Sequence, residues 1–66
     1  MRLTVNGEQR QVSAARNISA LVVLLGLDER KVAVERNLAI VPRSLWLATA
    51  LADGDQIEIV HFVGGG

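Results

Sequence analysis

The sequence predicts an α+β domain: a mixed sheet of four or five strands with one main helix packed across one face. Three observations carry that expectation. An Asn6-Gly7 pair separates two alternating segments, one segment from Ile18 to Leu25 has helical period, and a clearly alternating segment runs from Gln56 to Val63. One helix cannot bury its own apolar stripe and a small sheet offers one apolar face, so each covers the other. With 66 residues the chain has room for a single domain, 1–66, and nearly every apolar residue must enter one shared core.

The elements follow in order. Leu3 and Val5 alternate with Arg2 and Thr4, Asn6-Gly7 supplies the two positive φ angles of a type I′ turn, and Gln9 to Val12 returns as the second strand of a hairpin. After a connection over Ser13 to Arg16, Asn17 is a good N-cap, and Ile18, Leu21, Val22 and Leu25 lie on one helical face. Gly26 stands where a C′ glycine ends a helix. Val23 and Leu24 lie off that face and two adjacent valines lower the helical propensity, so tertiary packing must hold this helix.

Asp28 to Lys31 reads as a solvated, charged connection, and Val32, Val34 and Arg36 then alternate with Ala33 and Glu35 as a strand. Asn37-Leu38 turns the chain into a short strand at Ile40-Val41, which Pro42 ends or confines to an edge. Arg43 to Leu51 fits neither period, which suggests a short helical turn or irregular segment and leaves Trp46 open between core and interface. Asp53-Gly54-Asp55 is a turn signal ahead of the last strand, Gln56 to Val63. The expected core is Leu3, Val5, Ile18, Leu21, Val22, Leu25, Val34, Leu51, Ile57 and Ile59.

Composition narrows the function. Seven basic residues balance seven acidic ones, which leaves no electrostatic footprint for nucleic acid or an anionic membrane. The longest apolar run, Ala20 to Leu25, is far short of a membrane span, and the first residues lack the apolar stretch of a secretory signal. A cytoplasmic protein is expected. The chain has no cysteine, so disulfides, thiolate metal sites and thiol nucleophiles are excluded.

No catalytic constellation is legible. His61 has no serine or carboxylate near it in sequence, and its parity with Ile57 and Ile59 suggests a partly buried packing residue rather than a general base. Asp53 and Asp55 flank a glycine as a tight turn requires, and as metal ligands they lack a third partner. Ser13, Ser19 and Ser44 sit in no nucleophile elbow. The expectation is a chain that is not itself an enzyme and binds neither metal nor cofactor.

The tail is different. Gly64-Gly65-Gly66 follows a firmly patterned strand, and glycines without Cβ atoms can thread a narrow channel and bring backbone close to a reacting centre. The same composition predicts disorder while the tail is free. A frayed end or an expression remnant is the competing reading of the same three residues. Strand parity turns Val60 and Phe62 away from the face of Ile57 and Ile59, which leaves an apolar patch beside the tail. That patch is either a docking surface or a place where Phe62 folds over the sheet edge or self-associates.

Asp53-Gly54-Asp55-Gln56-Ile57 leading into Ile59-Val60-His61-Phe62-Val63-Gly64-Gly65-Gly66, with Val34-Glu35-Arg36-Asn37 and Ile40-Val41-Pro42-Arg43 before it, resembles the ThiS family of thiamine-biosynthesis sulfur carriers. The similarity covers essentially the whole chain. A terminal diglycine alone is shared by all ubiquitin-like carriers; with the aspartate-glycine-aspartate turn and the length it is far more specific. The resemblance implies a β-grasp (ubiquitin-like) fold, with the first and last strands side by side at the sheet centre.

It also implies a mechanism. An adenylyltransferase of the ubiquitin-activating type (ThiF-like), using its own Mg-ATP, would convert the Gly66 carboxylate to an acyl-adenylate. Sulfur from a cysteine desulfurase, carried as a persulfide, would displace AMP and leave a thiocarboxylate for thiazole synthase (ThiG-like). The chain is then a protein cosubstrate, with Gly66 as the site of modification and Gly64, Gly65, Val60 and Phe62 as partner-binding residues. The family's essential pair matches Gly65 and Gly66, and Gly64 is one residue of extra slack. Two other readings stand beside this one. The small subunit of molybdopterin synthase shares the tail chemistry but is usually longer and typically carries proline near the tail. A ubiquitin-like modifier would instead form an isopeptide bond through Gly66.

Overall fold

Asn6 and Gly7 take φ angles of 50° and 81°, the left-handed pair that a type I′ turn requires. The computed structural model describes residues 1–62. The turn joins β1 (Arg2–Val5) to β2 (Glu8–Gln11) as an antiparallel hairpin in which Thr4 faces Gln9. A second hairpin links β3 (Val32–Arg36) to β4 (Ala39–Val41) through Asn37 and Leu38, whose φ angles are 51° and 72°. The last strand, β5 (Gln56–His61), lies between the hairpins, parallel to β1 and antiparallel to β3. The sheet order is β2-β1-β5-β3-β4, so the expected mixed sheet has five strands, with its first and last at the centre.

One helix, α1 (Ile18–Leu24), packs on the inner face. Asn17 caps it through its side-chain oxygen, which accepts from the Ala20 N–H at 2.8 Å. At the other end Gly26 has φ 73°, its N–H bonds the Val23 carbonyl, and the Leu27 N–H bonds the Val22 carbonyl. Those two bonds are a Schellman closure, which needs a residue that tolerates positive φ at the position of Gly26. The charged connection is more ordered than expected: Asp28 caps a single 3₁₀ turn, Glu29–Lys31, that leads into β3.

Nine of the ten expected core residues are buried: Leu3, Val5, Ile18, Leu21, Val22, Val34, Leu51, Ile57 and Ile59. Leu25 is the correction, being only half-buried at the end of α1, where it packs against the margin of the core. Val12, Ala15, Val32 and Trp46 complete the core. Trp46 follows the 3₁₀ turn Arg43–Leu45 and is 2% exposed, with its indole N–H bonded to the Val41 carbonyl at 2.8 Å. It therefore closes the core between β4 and α1.

His61 is a further correction. It has the parity of Ile57 and Ile59 but is exposed, because parity chooses a face without saying how far the cover extends. A seven-residue helix is only about 10 Å long. β5 also ends at His61 rather than at Val63; Phe62 keeps one sheet-like bond, its N–H to the Lys31 carbonyl at 2.8 Å, and Val63 lies outside the described residues. Among the described residues, no helix is long and apolar enough to cross a membrane.

Candidate functional site

The candidate site is the strand that leads into the glycines, and side chains from both neighbouring turns hold it. On one side, Asn6 extends the short β1 pairing: its N–H bonds the Ile57 carbonyl at 2.9 Å, its side-chain oxygen accepts from the Ile59 N–H at 2.7 Å, and its amide nitrogen donates to the Ile59 carbonyl at 3.2 Å. On the other side, Asn37 bonds both backbone groups of Gln56, its N–H to the carbonyl at 2.8 Å and its side-chain oxygen to the N–H at 2.9 Å. Both asparagines occupy left-handed turn positions, where their amides can imitate a missing strand residue.

The start of β5 is fixed by Asp55. The turn character of Asp53-Gly54-Asp55 is as expected: Gly54 has φ 87°, and the Arg2 N–H bonds the Asp53 carboxylate at 2.6 Å. Asp55, however, is buried. Its carboxylate accepts from Arg36 Nε at 2.8 Å, the Ala52 N–H at 2.8 Å and Asn37 Nδ2 at 3.1 Å. Burial pushes its pKa up, but the Arg36 guanidinium, the Ala52 N–H and the Asn37 amide outweigh that and hold it below the usual aspartate value. No local pattern marks this hub, since Arg36 lies 19 residues away.

Val60 and Phe62 stand where parity placed them, 57% and 62% exposed. On the outer face Val60 sits opposite Ala33, while Glu58 sits opposite Glu35, which in turn faces Ile40 on β4. Phe62 also borders a shallow groove of about 420 Å³ that Val32, Trp46, Ile40, Pro42 and Arg43 help to line. That groove escaped the sequence because it joins β5 to the irregular segment around Trp46. Gly64, Gly65 and Gly66 lie outside the described residues. No group of three or more His, Cys, Asp or Glu residues among the described residues is placed to hold a metal ion. Among the described residues the site offers exposed apolar side chains on a strand paired on both sides.

Comparison with known proteins decides the family. The model of the ThiS family matches residues 3–66. The chain belongs to the ThiS family. The crystal structure of the thiamine biosynthesis protein ThiS from Geobacter metallireducens superposes with a TM-score of 0.84 at 38% identity, covering 100% of both chains. The sulfur carrier protein ThiS of Escherichia coli is 30% identical over 66 residues, again the full length of both. A thiazole synthase of Paramagnetospirillum magneticum is 56% identical over the same 66 residues, and this chain spans 20% of that protein's length. The five-stranded sheet with one helix is thus the β-grasp fold of ThiS, and the ThiS sulfur carriers are cosubstrates rather than enzymes.

Proposed function

We propose that this chain carries sulfur for thiazole formation as a thiocarboxylate on Gly66. The observation that carries the reading is a ThiS-family match running from residue 3 through the last glycine, on a strand hydrogen-bonded from both sides. A carboxylate is a poor electrophile. An activating adenylyltransferase joins it to the α-phosphorus of Mg-ATP and releases pyrophosphate. A persulfide sulfur, supplied through a cysteine desulfurase, then attacks the acyl carbon and expels AMP, and a thiol cleaves the resulting acyl disulfide to release the thiocarboxylate. Thiazole synthase takes the sulfur. The relative in which a ThiS-like sequence forms one chain with thiazole synthase supports that partner.

Three glycines offer almost no apolar area, so partner affinity comes from elsewhere. The exposed Val60 and Phe62 next to the tail provide the docking rim for the adenylyltransferase. Gly64 and Gly65 pass through its channel, and Gly64→Ala is tolerated better than Gly65→Ala. We place the reaction in the cytoplasm, with no nucleic acid or membrane taking part. No cofactor is held by this chain, and Mg-ATP belongs to the activating partner.

The test is intact mass after incubation with the adenylyltransferase, Mg-ATP and a sulfur donor. The expected result is the gain for replacing one oxygen by sulfur, located at Gly66 by fragmentation. No gain with an adenylyltransferase active on another carrier overturns the proposal.

A further inference from the structure

Asn6 and Gly7 carry a reactivity that sulfur transfer does not use. The backbone nitrogen of a glycine that follows asparagine has no Cβ beside it to hinder approach, so it attacks the asparagine Cγ more readily than the nitrogen of a bulkier residue does. A new N–Cγ bond closes a succinimide ring, the Cγ–Nδ2 bond breaks, and Nδ2 leaves as ammonia with the proton of the attacking nitrogen. Water then opens the ring at either carbonyl and leaves aspartate or isoaspartate. The chain has three asparagines and only Asn6 precedes glycine, since Asn17 and Asn37 precede Ile18 and Leu38. Asn6 and Gly7 are exposed, and the position of a Cβ on Gly7 has nothing within 4 Å, so no packed neighbour keeps base or water from the turn.

The folded hairpin nevertheless holds the reacting atoms apart. Closing the ring needs Asn6 Cβ nearly eclipsed with Gly7 N about the Cα–C bond. Asn6 has φ 50°, and in a type I′ turn the ψ of that residue is about +30°, which sets Cβ nearly anti to the following nitrogen instead. The side chain is tied down as well: Oδ1 accepts from the Ile59 N–H at 2.7 Å and Nδ2 donates to the Ile59 carbonyl at 3.2 Å. Cγ reaches Gly7 N only after the turn unwinds and both bonds to β5 break.

We propose that Asn6 is a deamidation site that the fold keeps closed: it reacts only in molecules whose first hairpin has come away from β5, and the reaction keeps the clamp from reforming. Aspartate at this position still accepts from the Ile59 N–H. Where Nδ2 donated, however, it presents an oxygen to the Ile59 carbonyl, and the bond becomes a repulsion between two acceptors. Isoaspartate routes the backbone through Cβ and so lengthens, by one methylene, the turn that sets Val5 opposite Glu8. Because β1 meets β5 only at Thr4 and Val5, either product loosens the strand that leads into the glycines. This chemistry is independent of whether Gly66 carries sulfur.

The experiment is peptide mass mapping of the full chain at mildly alkaline pH, folded in buffer and unfolded in guanidinium chloride, over the same times. In denaturant, Asn6 should show the mass gain of NH2 replaced by OH, well ahead of Asn37 in the same molecule. In buffer the conversion at Asn6 should be at least about tenfold slower, because a site that reacts only when open is slowed by the fraction open. Deamidated chain, separated from the parent by its extra charge, is then melted beside the parent and beside Asn6→Asp. Both should melt about 4 °C or more below the parent, with faster hydrogen exchange at the Ile59 amide. No preference for Asn6 in denaturant removes the site, and equal rates in buffer and denaturant remove its protection by the fold. Modified chains that melt with the parent remove the effect on β5, and any of these three results overturns the proposal.

Discussion

Asn6 holds Ile59 by both of its backbone groups, accepting from the N–H at 2.7 Å and donating to the carbonyl at 3.2 Å across 53 residues of sequence. A turn residue thereby does the work of an additional strand position, because β1 itself pairs with β5 only at Thr4 and Val5. Asn6→Gly keeps the left-handed backbone and removes only the amide, leaving two partly buried groups of Ile59 unpaired. The expected loss is about 1–2 kcal/mol in denaturant unfolding, and the Ile59 amide should exchange with solvent faster than its neighbours. Asn6→Ala adds the cost of positive φ and should lose about 1 kcal/mol more.

The Asp55 hub predicts a pH dependence. Its pKa is lower in the folded chain than in the unfolded one, so its contribution to stability is complete above the unfolded value, near 4, and is lost as pH falls through the folded value. The denaturation midpoint should therefore fall on acidification below about pH 5. Asp28 has a pKa lowered in the same direction by the Arg30 N–H and guanidinium but lies on the surface. Asp55→Asn should flatten the acid limb and cost about 2 kcal/mol at neutral pH, since Arg36 is then left without its partner. A limb as steep as the parent's in Asp55→Asn would transfer the effect to Asp28.

Leu38 is a poor residue for its place. With φ 72° and 85% exposure, it occupies a conformation that suits glycine or asparagine and buries almost nothing in return. Leu38→Gly is expected to raise stability by about 0.5–1 kcal/mol, the relief of strain exceeding the added freedom of the unfolded chain. In a domain of this size that is a rise of several degrees in melting temperature, readable by calorimetry.

Phe62→Ala separates the proposed docking role from folding. The side chain is 62% exposed, so its removal should cost less than about 0.5 kcal/mol of stability. The Michaelis constant for the carrier in the adenylyltransferase reaction should rise on the order of tenfold, as for loss of an aromatic contact residue. A melting curve that shifts while the Michaelis constant holds would make Phe62 a structural residue.

Local chemistry made much of this architecture legible. Asn6-Gly7, the cap at Asn17, the closure at Gly26 and the alternation through Ile57 and Ile59 each depend on a few adjacent residues, and each stands in the fold as expected. The misses share another cause. Ala15 is buried in a connection and Trp46 just after a 3₁₀ turn, where no period marks an inner face, while Val12, expected at the end of the second strand, is buried one residue past β2. Asp55 looks like any turn aspartate until Arg36 and Asn37 arrive from the other hairpin. Within the candidate site, strand parity anticipated the exposure of Val60 and Phe62, but the like-charge pair at Glu35 and Glu58 appears only once β3 and β5 are in register.

The position of β5 also sets an order of assembly. The hairpins β1–β2 and β3–β4 are local and can close within their own stretches of sequence, yet they meet in the sheet only through a strand that comes after both. A chain emerging from the ribosome therefore carries two separate ribbons whose inner edges, β1 and β3, stay open until residues 56–61 arrive. Such long-range closure slows folding and leaves strand edges exposed meanwhile. The strand that leads into the glycines is thus the keystone of the sheet, and a copy truncated before it has neither those glycines nor a finished sheet.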